Sequence, residues 1–196
     1  MNRLSALCVF CGSNSGADPA YAESARRMGQ ILAGRGMTLV YGGGRVGLMG
    51  ALADAALEAG GRVVGVIPEA LRRREVAHQG LTELHVVQTM HERKQLMADL
   101  SDGFVAMPGG FGTFEEFCEV LTWSQLGLHV KPCGLLNVKD YYTGLLALFD
   151  HAVAEQLLHP RNRAMVMAEP EPKLLLDAMA QYHAPAVEKW LTPETT

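Results

Sequence analysis

Residues 108–116, Pro-Gly-Gly-Phe-Gly-Thr-Phe-Glu-Glu, combine three glycines with one threonine and two glutamates. An apolar stretch typical of a strand precedes this segment, and a stretch typical of a helix follows it. Glycines at such a point leave backbone N–H groups uncovered at a helix N-terminus, where the helix dipole favours an anion such as phosphate. No Lys-Ser or Lys-Thr pair follows the last glycine, which excludes an ATP-hydrolysing P-loop. The segment therefore predicts a phosphate-binding loop of another kind.

Glu116, at the end of this segment, has two interpretations. Thr113 and Glu116 have the spacing of a capping box, in which the glutamate would cap the amide of Thr113. A glutamate in the first turn of a helix beside a phosphate loop would also face the sugar of a bound ligand. Capping and catalysis both remain open at this point, and the side chain could alternate between them.

A second glycine-rich segment, residues 41–50, contains Gly42-x-Gly44-x-x-Gly47 between a predicted strand and a predicted helix. This spacing formally satisfies the dinucleotide-binding fingerprint, and Glu69, past the next strand, could bind a ribose. A tight, closely packed turn would use the same glycines. The fingerprint alone does not decide between the two.

The third segment, Met-His-Glu-Arg-Lys at residues 90–94, opens a predicted helix. Arg93 and Lys94 could neutralise a phosphate or hold a carboxylate, and Arg93 could do so with its planar fork of donors. Considered alone, the segment is more typical of a solvated charged turn than of a binding site. Glu75, in a polar connection, is by default a surface residue.

Short apolar segments alternate with helical patterns along the chain. The predicted strands are 7–10, 38–41, 62–67, 84–87, 104–107, 134–138 and 164–168, and the predicted helices are 21–33, 48–58, 92–100, 113–126, 141–155 and 173–180. Continuously apolar strands interleaved with helices predict a doubly wound, Rossmann-like α/β fold with a parallel sheet covered on both faces. Ligands of such sheets bind beyond the carboxyl ends of the strands. Arg93 and Glu116 follow strands that are consecutive in the chain, so we expect them to converge at one edge.

Length and charge limit the possibilities further. A chain of 196 residues fits a single domain, residues 1–196, with a polar tail from about residue 184. The net charge of −4 argues against a nucleic-acid partner. The chain has neither an apolar run long enough to span a membrane nor a secretory signal, so we expect no membrane partner and a cytoplasmic protein.

Cys8 and Cys11 formally match a redox or half-zinc motif, C-x-x-C. Val9 and Phe10 between them are typical of a strand interior, where positions three apart point to opposite faces, and no second pair follows at matching spacing. Buried structural thiols are therefore favoured over redox chemistry or a metal site.

Taken together, these segments resemble the LOG family, the cytokinin riboside 5′-monophosphate phosphoribohydrolases once labelled possible lysine decarboxylases. The family pattern P-G-G-x-G-T-x-x-E is met in full by residues 108–116, and residues 41–50, 90–94 and 121–127 also look like family segments. The resemblance runs from Cys8 to about Glu155 and fades after Leu158.

The resemblance implies a Rossmann-like homodimer that hydrolyses the N-glycosidic bond of a nucleoside 5′-monophosphate, without a cofactor or a metal. The products would be ribose 5-phosphate and a free base, either a cytokinin or adenine. Arg93 and Glu116 match the family's catalytic pair. The positions matching substrate-binding residues are Glu75, Arg93, Lys94, Gly110, Phe111, Gly112, Thr113, Phe114, Glu115, Glu116 and Thr122. The apolar bulk of residues 113–126 suggests that this helix lies in or near the dimer interface.

Three other functions are compatible with parts of the sequence. A pyridoxal-dependent decarboxylase is rejected, because none of the lysines lies in an identifiable cofactor context. A nicotinamide-dependent oxidoreductase would leave the loop at residues 108–116 unexplained. A non-catalytic nucleotide carrier or sensor would bind AMP without releasing adenine, although the presence of both Arg93 and Glu116 counts against it.

Overall fold

The computed structural model describes residues 4–72 and 77–184, and these form a seven-stranded sheet. The strands are β1 (Ala6–Phe10), β2 (Thr38–Tyr41), β3 (Val63–Pro68), β4 (Glu83–Val87), β5 (Phe104–Ala106), β6 (Cys133–Leu136) and β7 (Val166–Glu169). Their order in the sheet is β4-β3-β2-β1-β5-β6-β7, and every neighbouring pair is parallel. The predicted fold class is therefore confirmed.

Helices cover both faces of the sheet. They are α1 (Pro19–Gly34), α2 (Gly47–Glu58), α3 (Glu69–Arg72), α4 (Met90–Asp99), α5 (Phe111–Gln125), α6 (Thr143–Ala154), α7 (Pro160–Arg163) and α8 (Pro172–Ala180). Side chains alternate along β1, so that Leu7 and Val9 pack in one apolar layer with α1, α2 and α8, while Cys8 and Phe10 pack in the other with α4 and α5. Burial on both faces explains why these strands read as continuous apolar runs.

The order of the strands reverses at β1, which has β2 on one side and β5 on the other. In open parallel sheets the ligand crevice lies outside the carboxyl ends of the strands at this switch point. Here the crevice is bordered by the loops that follow β1 and β5. The loop after β5 is the predicted phosphate-binding loop.

The predicted route by which Arg93 and Glu116 meet needs correction. β4 and β5 are consecutive in the chain, but β3, β2 and β1 lie between them in the sheet. The two residues converge because α4 crosses back over the sheet, packing on β3 and sharing an apolar layer with α5. The meeting point is thus set by two helix starts and not by two adjacent strand ends.

Most predicted elements agree with the structure to within a few residues at each end. Three short elements were not predicted: α3, α7 and a 3-10 turn at Val138–Asp140. That turn ends β6 at Leu136 and delays α6 to Thr143, two residues after the predicted start.

Cys8 and Cys133 are buried, Cys11 and Cys118 are half-buried, and all four are free thiols. Burial raises the pKa of the Cys8 thiol well above its usual range, the opposite of what a redox-active cysteine needs. The structural interpretation of Cys8 is confirmed. No helix in the described ranges has the length and apolar character required to span a membrane.

Candidate active site

Backbone hydrogen bonds tie the loops at the switch point together. The Gly12 N–H donates to the Pro108 carbonyl at 3.1 Å, and the Leu48 N–H donates to the Gly12 carbonyl, also at 3.1 Å. Gly109 permits this close approach, since a Cβ there would lie 2.9 Å from the Gly12 nitrogen and would collide with the Thr113 side chain. The loops after β1 and β5 and the start of α2 therefore form one connected rim.

α5 begins with no side chain capping its N-terminus. Its N-cap is Gly110, in an extended conformation, and no side-chain cap hydrogen bond is present. The amides of Phe111, Gly112 and Thr113 form the first turn, where backbone donors have no partner within the helix. Uncapped amides at the positive end of a fifteen-residue helix can bind a phosphate group.

The predicted capping box of Thr113 and Glu116 is wrong. Because α5 begins at Phe111, Thr113 is its third residue and lies inside the helix, where it cannot act as the N-cap. The capping box in this part of the chain belongs to α4, where the Glu92 amide donates to the Thr89 hydroxyl at 3.1 Å and the Glu92 carboxylate accepts from the Thr89 amide at 3.3 Å. Glu116 is therefore free of a capping role.

Arg93 and Glu116 face each other in a nearly enclosed position. Nη1 of Arg93 lies 3.9 Å from Oε1 of Glu116, and their side chains are 9% and 12% exposed. Nη2 of Arg93 donates to the Gly42 carbonyl at 3.4 Å. Nε of Arg93 is buried and has no acceptor within residues 4–72 and 77–184. The guanidinium thus contacts both the Gly42 turn and the Glu116 carboxylate.

Burial dominates the electrostatics of Glu116 and raises its pKa from 4.5 to about 7. The charge of Arg93 opposes this rise, Glu115 and Glu119 add to it, and Lys94 opposes it. A carboxyl group that titrates near neutral pH can hold or accept a proton during a reaction.

Lys94 follows Arg93 in α4 and contacts α5. Its ammonium donates to Glu115 at 2.6 Å and to Glu119 at 2.9 Å, so it links α4 to α5. Burial lowers the pKa of Lys94, but the two carboxylates outweigh burial and the pKa is raised overall. Lys94 and Glu115 are thus paired with each other, while Arg93 is paired with Glu116.

The first glycine segment packs closely against other groups. A Cβ at Gly42 would collide with Nη2 of Arg93, and a Cβ at Gly47 would collide with the Ser13 backbone. Gly47 also has φ +61°, a conformation that favours glycine. Glu69, the predicted ribose acid, begins α3 and pairs with Arg72 at 3.1 Å. These contacts favour the close-packing interpretation of the fingerprint over dinucleotide binding.

The remaining predicted residues are spread more widely. Phe111, in the first turn of α5, is 92% exposed, and Phe114 packs against Tyr141 and Tyr142.

Thr122 is exposed on α5, and its hydroxyl donates to the Cys118 carbonyl at 2.8 Å. It lines a groove of 380 Å³ between α5 and α6, apart from Arg93 and Glu116. Glu75 lies outside the described residues.

Tyr141 was not predicted as a site residue. Its hydroxyl donates to the carbonyl of Gly109, a residue of the glycine-rich loop, at 2.5 Å. The available signal was its position just after the sixth predicted strand, at the same edge of the sheet.

The doubly wound parallel sheet defines a Rossmann-like α/β protein. Its site combines a glycine-rich loop, an uncapped helix N-terminus and a buried Arg–Glu pair, which together are typical of a nucleotide-binding site. Residues 49–179 match the family described as possible lysine decarboxylase. The chain belongs to this family, as the resemblance in its sequence predicted.

Its relatives carry a more specific name. The chain is 56% identical over 162 residues to a cytokinin riboside 5′-monophosphate phosphoribohydrolase of Rhodococcoides fascians. The aligned region covers 82% of each protein. It is 46% identical over 181 residues to an Arabidopsis thaliana enzyme of the same name, covering 92% of this chain and 83% of the relative. Among solved structures, the molybdenum cofactor carrier protein of Chlamydomonas reinhardtii is similar with a TM-score of 0.70, over 91% of this chain and 98% of that one. Its sequence identity of 22% supports a shared fold alone.

Proposed function

We propose that this protein hydrolyses the N-glycosidic bond of a nucleoside 5′-monophosphate, releasing the free base and ribose 5-phosphate. The observation that carries the proposal is the buried pair of Arg93 and Glu116, 3.9 Å apart, beside the uncapped start of α5. The names of the relatives, cytokinin riboside 5′-monophosphate phosphoribohydrolases, support the same reaction.

The proposed mechanism begins with the 5′-phosphate on the first amides of α5. The bond between C1′ and the base nitrogen breaks, and its electron pair leaves with the base, so that the sugar acquires oxocarbenium character. The Glu116 carboxylate stabilises that positive charge and orients a water molecule, whose oxygen bonds to C1′ while its proton passes to the carboxylate. The proton then passes from Glu116 to the nitrogen of the released base, which restores the carboxylate.

Arg93 has a supporting role in this mechanism. The pKa of a guanidinium lies above ~12, so the group stays protonated at neutral pH and is a poor proton donor. We assign it the positioning of Glu116 and of the substrate, and the stabilisation of negative charge. Its contact with the Gly42 carbonyl fixes it for that purpose.

The test uses the purified protein with isopentenyladenosine 5′-monophosphate, AMP and the matching nucleosides without phosphate. We expect equal amounts of free base and ribose 5-phosphate from one or both nucleotides, and far lower kcat/KM for the nucleosides. Comparable kcat/KM with and without the phosphate would contradict the assigned role of the α5 N-terminus. Tight AMP binding without base release would instead identify a nucleotide carrier.

We further propose that the protein is a homodimer joined through α5 and α6. α6 is an apolar helix whose twelve residues are all described, and none of them is buried within the chain. Leu148 on α6 is 58% exposed and Leu157, just beyond it, is 85% exposed, and both line the groove that contains Thr122. Apolar surface of this kind is typical of a subunit interface. A monomer at micromolar concentration in sedimentation experiments would contradict this proposal.

For the cellular compartment we propose the cytoplasm. The four free thiols fit a reducing compartment, and the charged substrate is retained inside cells.

A further inference from the structure

The turn after β6 has an unusual backbone at the edge of the sheet where the glycine loop lies. Lys139 and Asp140 have φ values of 50° and 58°, in the left-handed region that residues with side chains rarely adopt. Side-chain contacts hold this shape, since the Lys139 ammonium pairs with Asp18 at 2.6 Å and the Tyr142 amide donates to the Asn137 side chain at 2.6 Å. Strained backbone of this kind persists where the surroundings enforce it, and it is common at functional sites.

This turn delivers two consecutive tyrosines to the loop after β5. The Tyr141 hydroxyl donates to the Gly109 carbonyl at 2.5 Å, and the Tyr142 hydroxyl donates to the Met107 carbonyl at 2.6 Å. Tyr142 is 1% exposed and belongs to the core, whereas Tyr141 is 39% exposed. The ring of Tyr141 is held edge-on by Tyr21, with 5.8 Å between ring centroids, and stacks with Phe114 at 6.4 Å.

The peptide bond that Tyr141 contacts joins two glycines, Gly109 and Gly110. A Gly-Gly peptide can turn over easily, because neither residue has a Cβ that restricts its dihedral angles. In a planar trans peptide the C=O and the N–H point in opposite directions. With the Gly109 carbonyl fixed on Tyr141, the Gly110 N–H must point away from Tyr141. Gly110 is the N-cap of α5, so this N–H is the donor next to the first turn of the helix.

We propose that Tyr141 is a positioning residue of the phosphate-binding loop. Its hydroxyl holds the Gly109–Gly110 peptide in the orientation that presents the Gly110 N–H, together with the first amides of α5, to the 5′-phosphate of the substrate. This inference rests on the proposed function, since it assigns a phosphate to that loop.

The test compares Tyr141→Phe with Tyr142→Phe in the full chain. Each variant removes one hydroxyl that donates to a carbonyl of the same loop, and each keeps its aromatic ring. The measurements are kcat and KM with AMP, the Kd of ribose 5-phosphate by calorimetry, and the melting temperature. For Tyr141→Phe we expect KM and Kd to rise about fivefold, as for loss of one hydrogen bond, while kcat and melting temperature stay within error. For Tyr142→Phe we expect a lower melting temperature and unchanged KM and Kd.

The inference is overturned if Tyr141→Phe leaves both KM and Kd unchanged, or if it lowers only the melting temperature, as a purely structural residue would. Failure of the proposed function is a separate outcome, seen as absence of base release by the wild-type protein. In that case the Kd of ribose 5-phosphate for wild type and Tyr141→Phe still decides the role of Tyr141.

Discussion

Gly42→Ala is expected to inactivate the protein by displacing Arg93 without altering Arg93 itself. The Gly42 backbone has no positive φ, so alanine is compatible with it. The added Cβ, however, would lie closer to Nη2 of Arg93 than real Cβ atoms approach other atoms. Since that nitrogen is the end of a flexible side chain, the guanidinium moves and the backbone stays in place.

The size of the effect follows from the displacement. The nearest atom of any other residue, Sδ of Met49, lies at an ordinary 3.5 Å from the added Cβ, so the strain falls on Arg93 alone. Moving Nη2 to contact distance requires a shift of about an ångström, which removes its bond to the Gly42 carbonyl and misaligns the pairing with Glu116. A misplacement of about 1 Å in a catalytic group can reduce the rate ~10²-fold. The free energy of unfolding should fall by less than about 1 kcal/mol, because one weak hydrogen bond is lost.

The assay is base release from AMP, together with chemical denaturation. Gly34→Ala is the matched control, because a Cβ at Gly34 meets no atom within 4 Å and the residue ends α1, away from the site. We expect kcat/KM to fall about 10²-fold for Gly42→Ala and to stay unchanged for Gly34→Ala. A stable Gly42→Ala protein with wild-type kcat/KM would refute the placement of Arg93 described above.

Two further predictions concern pH. If ionised Glu116 acts in catalysis, kcat/KM should rise as pH increases through about 7 and then level off, because burial raises its pKa to that value; a fall above pH 7 would instead make Glu116 a proton donor. Burial lowers the pKa of His129 to about 4, although the contact of its Nε2 with the Val120 carbonyl at 2.9 Å opposes this shift, so the fold favours the neutral ring. The contribution of neutral His129 to the free energy of unfolding should be fully present above pH ~6.5. It should be lost as the pH falls towards ~4, and the loss should be at most about 3 kcal/mol. Urea denaturation of wild type and His129→Asn at pH 7.5 and 4.5 checks this, and an equal pH dependence in both would contradict it.

The strands and both glycine loops could be predicted because their signals are local. Four-residue apolar runs such as β2 and glycines after strands follow directly from burial and from backbone freedom. The order of the strands was not predicted, because it depends on contacts between distant parts of the chain. The sequence predicted correctly that Arg93 and Glu116 converge, but it attributed this to neighbouring strands. The structure has three strands between β4 and β5, and α4 crosses over them.

The site was only partly predictable for a related reason. Thr113 and Glu116 satisfy the capping-box spacing, yet an extended Gly110 starts α5 two residues before the predicted start and removes that role. Glycine is required at position 42 because Arg93, which is distant in the sequence, lies against it, and this contact could not be predicted. Tyr141 depends on two consecutive left-handed residues, and lysine, the first of them, has no preference for that conformation.

The most direct test of the central claim is the turnover number of Glu116→Gln. Glutamine keeps the shape and most hydrogen bonds of the side chain but removes the negative charge that would stabilise an oxocarbenium-like sugar. Glu92→Gln is the control, because Glu92 caps α4 and glutamine also serves in a capping box. With both variants shown to be folded by circular dichroism, we predict that Glu116→Gln lowers kcat ~10²-fold or more with little change in KM, while Glu92→Gln is nearly silent. A folded Glu116→Gln protein that releases base at the wild-type rate would contradict the catalytic assignment.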